Sequence, residues 1–222
     1  MIHAFVDTNV LKHTIEKRPL AQFPVTDEHG KQVLRAFYSG YVPRPRHLTP
    51  ALTREIESMR ALAKLAIDGV LGFLCSVEVQ LEFWQLPETW ATGPLLFGAP
   101  IKWAKPPLRY SRVAIDPLQR GSRPTQEAQL AFLRRIKHRR FMELALACGV
   151  PPDMASNENQ LIDAFHIWWA ESAGASHFLT CDFKLIRQLR QYRTHRPQLA
   201  VVAPSTLASE QGVAFYDGPA VK

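Results

Sequence analysis

The stretch FVDTNVL, residues 5–11, ends a short apolar run on an acid. Phe5 and Val6 are strand-forming residues, and residues 2–6 are predicted to form a short buried strand. Asp7 follows directly, and a helical pattern begins at about Asn9. A carboxylate next to a core is costly unless it caps a helix or holds a ligand. Acids in equivalent positions elsewhere in the chain decide between these two roles.

The chain alternates predicted strands and predicted helices. Further apolar runs of strand length are VLGFLCS at 70–76, HFLT at 177–180 and LAVVAP at 199–204. A helix between the first two strands begins at Thr49-Pro50 and ends at Gly69. The alternation predicts an α/β fold of three layers, α/β/α, around a central parallel Rossmann-like sheet. In such sheets, functional residues collect at the carboxyl ends of the strands.

Length, charge and cysteine content narrow the class of protein. The chain has 222 residues, is 46% hydrophobic and carries a net charge of +7. This predicts a single domain over residues 1–222 and favours a polyanionic partner. The three cysteines are isolated from one another, which argues against a disulfide framework or a zinc ribbon. With no signal peptide and no apolar stretch of membrane length, we expect a cytoplasmic protein that does not associate with membranes.

Two Pro/Gly-rich segments interrupt the alternation. Residues 17–48 are predicted to be mainly loop, with a short helix around residues 31–38. The second is an inserted basic segment around residues 91–140, and a single helix is predicted over residues 126–149. Residues 101–140 hold eleven Lys and Arg against two acids, a balance of +9.

This concentration of positive charge predicts RNA binding. Trp103 and Tyr110 lie among the bases and could stack on unpaired nucleotides. The alternative for the run RRIKHRR at 134–140 is a solvated helix face. The residues predicted to contact RNA are Lys102, Lys105, Arg134, Arg135, Arg139 and Arg140.

Acids follow the predicted strands at one edge of the sheet. Asp7 ends the first strand, Asp182 follows HFLT, and Glu78 and Glu82 lie just past VLGFLCS. Asp163 lies one or two turns into a helix that leads back toward the same edge. Several carboxylates in one cleft repel one another, and a hard divalent cation such as Mg²⁺ removes that conflict. Carboxylate clusters that hold such ions catalyse phosphodiester hydrolysis.

Four stretches carry a resemblance to a known family: FVDTNVL (5–11), SVEVQLEFW (76–84), DAFHIWWAESAGASHFLTCD (163–182) and FKLI (183–186). In this order they resemble the PIN-domain ribonuclease superfamily, which includes the VapC toxins. The resemblance implies a PIN-like fold and an endoribonuclease that uses Mg²⁺ or Mn²⁺. It also implies RNA as substrate, and it leaves an antitoxin protein and a homodimer open as partners. The implied catalytic and metal-binding acids are Asp7, Glu82, Asp163 and Asp182, with Thr8, Asn9 and Thr180 as supporting polar neighbours.

Structural alternatives exist for several of these residues. Asp7 and Asp182 could be helix caps, and Asp163 could be a helix-face acid paired with a base. Glu78 is interpreted as a solvated or salt-bridged helix residue, and His166 as a packed or capping histidine. The tryptophans at 168 and 169 are expected in the core or at an interface.

Two functions other than the ribonuclease are compatible with an acid after the first strand. A HAD-type phosphatase would need a second Asp two residues after Asp7, where the chain has Asn9. That reading is therefore disfavoured. The remaining alternative is a non-catalytic PIN-like module that binds RNA or a partner protein.

Overall fold

A computed structural model of the chain describes residues 1–13, 17–26, 32–41, 49–79, 82, 96–109, 123–151 and 158–213. Its strands are β1 (Ile2–Val6), β2 (Lys17–Thr26), β3 (Gln32–Tyr41), β4 (Leu71–Cys75), β5 (Ile101–Trp103), β6 (His177–Leu179) and β7 (Ala200–Val202). Its helices are α1 (Thr8–His13), α2 (Pro50–Ile67), α4 (Arg123–Arg135), α5 (Arg139–Ala147), α6 (Glu158–Ser172), α7 (Phe183–Gln191) and α8 (Pro204–Glu210). Residues 77–79 and Glu82 are also helical, and we label them α3.

The central element is a parallel sheet of five strands in the order β5-β4-β1-β6-β7. β1 lies in the middle, where Ala4 pairs with Phe73 of β4 on one side and His177 of β6 on the other. The strand order reverses at β1, so a crevice is expected between the carboxyl ends of β1 and β6. The predicted α/β fold with a parallel sheet is confirmed.

Helices cover the sheet in two groups. α2 packs against α8, whereas α4 and α5 pack against α6. Right-handed crossovers from β1 to β4 and from β6 to β7 run in opposite directions, which gives three layers, α/β/α. The core includes the last three residues of β1, which are fully buried, and Phe5 stacks on Phe178 with ring centroids 5.9 Å apart. Trp168 and Trp169 are also buried, which confirms their expected place in the core.

Local signals set the predicted ends of α2. The Thr49 hydroxyl accepts a hydrogen bond from the Leu52 N–H at 3.2 Å, and Pro50 occupies the first turn. Gly69 follows the C-terminus with a φ of 76°, a conformation that L side chains rarely adopt. None of the helices in the described part of the chain is long and apolar enough to span a membrane. All three cysteines are free.

Three sequence expectations are wrong in the inserted segments. Residues 17–26 and 32–41 form an antiparallel pair, β2 with β3, rather than a loop with a short helix. Residues 101–103 are the edge strand β5 of the main sheet. The single helix expected over 126–149 is two helices, because the chain leaves helical geometry at 136–138 before α5 begins.

Candidate active site at the carboxyl edge of the sheet

Hydrogen bonds connect the carboxyl ends of β1 and β6 directly. The Asp7 N–H donates to the Leu179 carbonyl at 3.1 Å, and the Thr180 hydroxyl donates to Asp7 Oδ2 at 2.9 Å. Asn9 completes the connection, since its Nδ2 donates to Thr180 Oγ1 at 2.8 Å and its Oδ1 accepts from the Cys181 N–H at 2.9 Å. Thr180 and Asn9 therefore fix the position of the Asp7 carboxylate.

A cavity of about 430 Å³ opens at this edge of the sheet. Segments far apart in sequence contribute acids to it: Asp7 after β1, Glu82 in α3, Asp163 in α6 and Asp182 before α7. The structure thus brings the four acids singled out in the sequence to one place. Its lining residues are Asp7, Thr8, Asn9, Lys12, Glu82, Gln129, Asn159, Ile162, Asp163, His166 and Asp182.

Asp7 and Asp163 hold their protons more tightly than ordinary carboxyls do. The pKa of Asp7 is raised from 3.8 to about 6, chiefly by burial and also by the charge of Glu82, against opposing effects from His166 and Thr180. Burial and the charge of Asp7 raise the pKa of Asp163 well above its usual value. Among the residues that the structure describes, none donates a hydrogen bond to the Asp163 carboxylate. Both groups therefore carry negative charge at an energetic disadvantage.

Glu82 is held by three donors from three different elements. The Thr8 hydroxyl donates to Oε2 at 2.6 Å, while Gln129 Nε2 and His166 Nε2 lie 2.9 and 3.0 Å from Oε1. Burial alone would raise the pKa of Glu82, but the charge and hydrogen bond of His166 lower it below its usual value. Burial would lower the pKa of His166, yet the charge of Glu82 raises it. Each group of the pair therefore favours the ionised form of the other, Glu82 as a carboxylate and His166 as an imidazolium.

Glu78 lies one helical turn before Glu82 and is buried, so of its two interpretations, solvated or salt-bridged, the solvated one is wrong. Its Oε1 accepts from Gln129 Nε2 at 2.5 Å, so the same amide bridges both glutamates. The sequence did not single out Gln129. The available signal was the spacing of the two glutamates, which puts them on one helix face, where one polar side chain can reach both.

Asp182 has two roles in the structure. Its Oδ1 accepts from the N–H groups of Lys184 and Leu185, both at 2.9 Å, so it caps α7. It also lines the acid cavity. The capping alternative for Asp182 is thus observed, together with its position among the other acids.

The basic residues singled out in the sequence lie in different places. Arg140 donates to both oxygens of Glu171, at 2.7 and 2.8 Å, and Arg139 is paired with Glu143 at 2.9 Å. Arg134 lies at the other end of this run, 3.7 Å from Glu158 at the start of α6. Exposed side chains without a described acid partner belong to Lys102, Lys105 and Arg135. Tyr110 lies outside the described residues.

The donor set fits a hard divalent cation in its chemistry. All four acids offer carboxylate oxygens, the ligands that Mg²⁺ and Mn²⁺ prefer. As the side chains stand, no three His, Cys, Asp or Glu of the described part are close enough together to hold one ion. Binding therefore requires the carboxylates to approach one another, and the raised pKa values of Asp7 and Asp163 show where positive charge would be favourable.

Comparisons of the chain with protein-family models, curated proteins and solved structures find no match.

Proposed function

We propose that the chain is a PIN-type endoribonuclease that depends on Mg²⁺ or Mn²⁺ and hydrolyses phosphodiester bonds of RNA at the acid cavity. The observation that carries the proposal is the meeting of four acids from distant segments in one cavity, two of them with raised pKa values. Acids kept at such a disadvantage are typical of functional sites.

The chain's own residues would divide the work. Asp7, Asp163 and Asp182 would hold the cation, with Asp7 oriented by Thr180 and Asn9. A bound divalent cation supplies an activated water and neutralises charge that develops on the phosphate.

Other residues prepare the cavity for an anionic substrate. Glu82 completes the negative charge of the site and is oriented by Thr8, Gln129 and His166. Lys12 is exposed at the cavity wall, where its ammonium group is available to a phosphate of the substrate.

The proposal also covers partners and location. The resemblance to VapC toxins suggests an antitoxin protein and a homodimer as further partners. A cytoplasmic location suits the three free cysteines, because a reducing compartment keeps thiols free.

One observation favours the non-catalytic alternative. Both oxygens of Glu82 already accept hydrogen bonds from the protein, and His166 places a positive charge inside the cluster. In a module that only binds RNA or a partner protein, this internal cation would take the place of a metal ion.

Cleavage of labelled single-stranded RNA tests the two functions. We expect cleavage with Mg²⁺ or Mn²⁺, its loss in excess chelator, and its loss in Asp7→Asn. The matched control is Asp68→Asn, an exposed Asp at the end of α2, which should cleave like the wild type. Equal cleavage in chelator would exclude the metal-dependent mechanism, and absence of cleavage with RNA binding retained would favour the module.

A further inference from the structure

A second cavity of about 520 Å³ adjoins the acid cavity. The two share Asn159, Asp163 and Asp182 as a common wall. A volume of this size is typical of sites for small organic ligands. An RNA strand that places a phosphate at the acids therefore has room here for its next nucleotide. The remaining lining residues are Glu158, Gln160, Lys184, Leu185 and Gln188.

Two carboxamides of this cavity lie beside the turn after α5. Gln188 Nε2 donates to the Ala147 carbonyl at 3.1 Å. Gly149 has a φ of 85°, and a Cβ there would lie 2.6 Å from Gln188 Nε2 and 3.3 Å from Gln160 Oε1. The absence of a side chain at Gly149 thus makes room for both carboxamides, which offer a polar surface to the cavity.

The distribution of charge separates a phosphate position from a base position. Asp163 and Asp182, which are shared with the acid cavity, would repel a phosphate placed beside them. Positive charge lies on the exposed side chain of Lys184 and on Arg134, 3.7 Å from Glu158. Phosphates therefore favour the basic side of the cavity.

The part of the cavity beside Gln160 and Gln188 suits a nucleobase. Carboxamides can bond two positions on the edge of a base, and carboxylates accept from exocyclic amino groups. Leu185 adds apolar surface for the ring. These groups fit a base that carries an amino group, such as adenine or cytosine.

We propose that this second cavity binds the nucleotide next to the scissile phosphate, with its base at Gln160 and Gln188 and its phosphate at Lys184. The inference rests on the proposed ribonuclease function, because it places the scissile phosphate at the acid cavity. It identifies the cavity as the part of the site that selects among RNA sequences.

Binding of short RNAs tests the proposal without cleavage. The probes are fluorescent single-stranded hexamers of A, C or U, titrated against full-length Asp7→Asn. Adding Gln188→Leu should weaken binding of the A or C hexamer about three- to tenfold, the effect of one lost hydrogen bond, and change the U hexamer less. Gln191→Leu is the matched control, an exposed glutamine three residues later in α7. Thermal unfolding shows that each variant is folded.

A second variant separates the base from the phosphate. Lys184→Gln should weaken all three hexamers alike and flatten the slope of log affinity against log salt by about 0.7. The proposal is overturned if Gln188→Leu matches Gln191→Leu for every hexamer and Lys184→Gln leaves the slope unchanged. Wild-type cleavage is scored separately. If the wild type cleaves RNA but these variants bind all hexamers unchanged, the proposal for the second cavity is wrong and the ribonuclease function stands. If binding depends on the base but the wild type does not cleave, the ribonuclease function is wrong and the second cavity still binds nucleotides.

Discussion

Helix α6 carries Asp163 in its first half and Glu171 near its C-terminal end, and these two acids have opposite surroundings. Glu171 accepts two hydrogen bonds from Arg140 and one from the Gln198 N–H at 2.6 Å. Asp163 receives no hydrogen bond from the described residues and faces the charges of Asp7 and other acids. A compensated acid such as Glu171 stabilises the fold, whereas an uncompensated buried acid such as Asp163 marks a candidate binding site. The comparison separates architecture from chemistry within one helix.

The largest expected effect is on the contrast between Asp163 and Glu171, which should differ in both RNA cleavage and stability. Asp163→Asn should lower metal-dependent RNA cleavage about a hundredfold or more, while Glu171→Gln should cleave normally. Stability should change in the opposite sense. Asp163→Asn removes a charge that burial disfavours and should raise the free energy of unfolding, whereas Glu171→Gln should lower it by about 1–3 kcal/mol. Cleavage kinetics and urea unfolding measure the two effects, and the same direction of change in stability for both variants would contradict the comparison.

A divalent cation should stabilise the folded chain only when the Asp163 carboxylate is present to bind it. At a Mg²⁺ or Mn²⁺ concentration of about one hundred times Kd, binding adds about 2.7 kcal/mol to the free energy of unfolding. We expect a higher Tm for the wild type and for Glu171→Gln. The increase should vanish in Asp163→Asn and on addition of chelator. An equal shift in all of these proteins would mean that the cation binds outside the acid cavity.

The free energy of unfolding should also depend on pH, because burial disfavours the ionised form of Asp7. Asp7 has a pKa of about 6 in the folded chain and 3.8 without its surroundings, so the folded state binds more protons between these values. The ionised form is therefore destabilising at pH 7, by roughly 3 kcal/mol, and this destabilisation is relieved as the pH falls through 6. His166, whose pKa is raised, contributes in the same direction.

The measurement is urea unfolding between pH 7 and pH 5, above the range where Glu82 begins to protonate. We expect the free energy of unfolding to increase as the pH falls, and to increase less in Asp7→Asn. A decrease over this range in the wild type would show that other groups dominate its titration.

The smallest expected effects distinguish Arg139 from Arg134. Arg139 is almost fully exposed in its pair with Glu143, so Arg139→Gln should change stability by less than about 0.5 kcal/mol. It should also leave the salt dependence of RNA binding unchanged, because Glu143 holds its guanidinium at hydrogen-bond distance, whereas Arg134 lies 3.7 Å from Glu158. Arg134→Gln, at the rim of the second cavity, should flatten the salt slope by about 0.7. Titrations of single-stranded RNA at several salt concentrations compare the two variants, and equal slopes would remove Arg134 from the RNA path.

The sequence was sufficient for features that short local signals define. Asp7 and Asp182 follow apolar runs, and parallel strands bring such positions to one edge. The ends of α2 were set by Thr49-Pro50 and Gly69. In each case a few neighbouring residues determine the outcome, so a single sequence contains the information.

Features that depend on tertiary contacts could not be predicted in the same way. β5 has only three residues, too few to show a period, and its pairing with β4 decides its conformation. Neither Pro nor Gly marks the break at 136–138 between α4 and α5. Gln129 and His166 reach the acid cavity from helices remote in sequence, so their contacts with Glu82 depend on how those helices pack.

Because β1 lies in the middle of the sheet, the order of synthesis on the ribosome determines when the sheet can be completed. One edge of β1 can pair with β4 early, but its other edge waits for β6, which emerges roughly 175 residues after β1 begins. At typical rates of synthesis this delay is on the order of 10 s. During that time the nascent chain has an open strand edge and holds Asp7 apart from Asp163 and Asp182. For the ribonuclease proposed above, competence to cleave RNA would then be gained only late in synthesis, and an incomplete chain would leave nearby RNA intact.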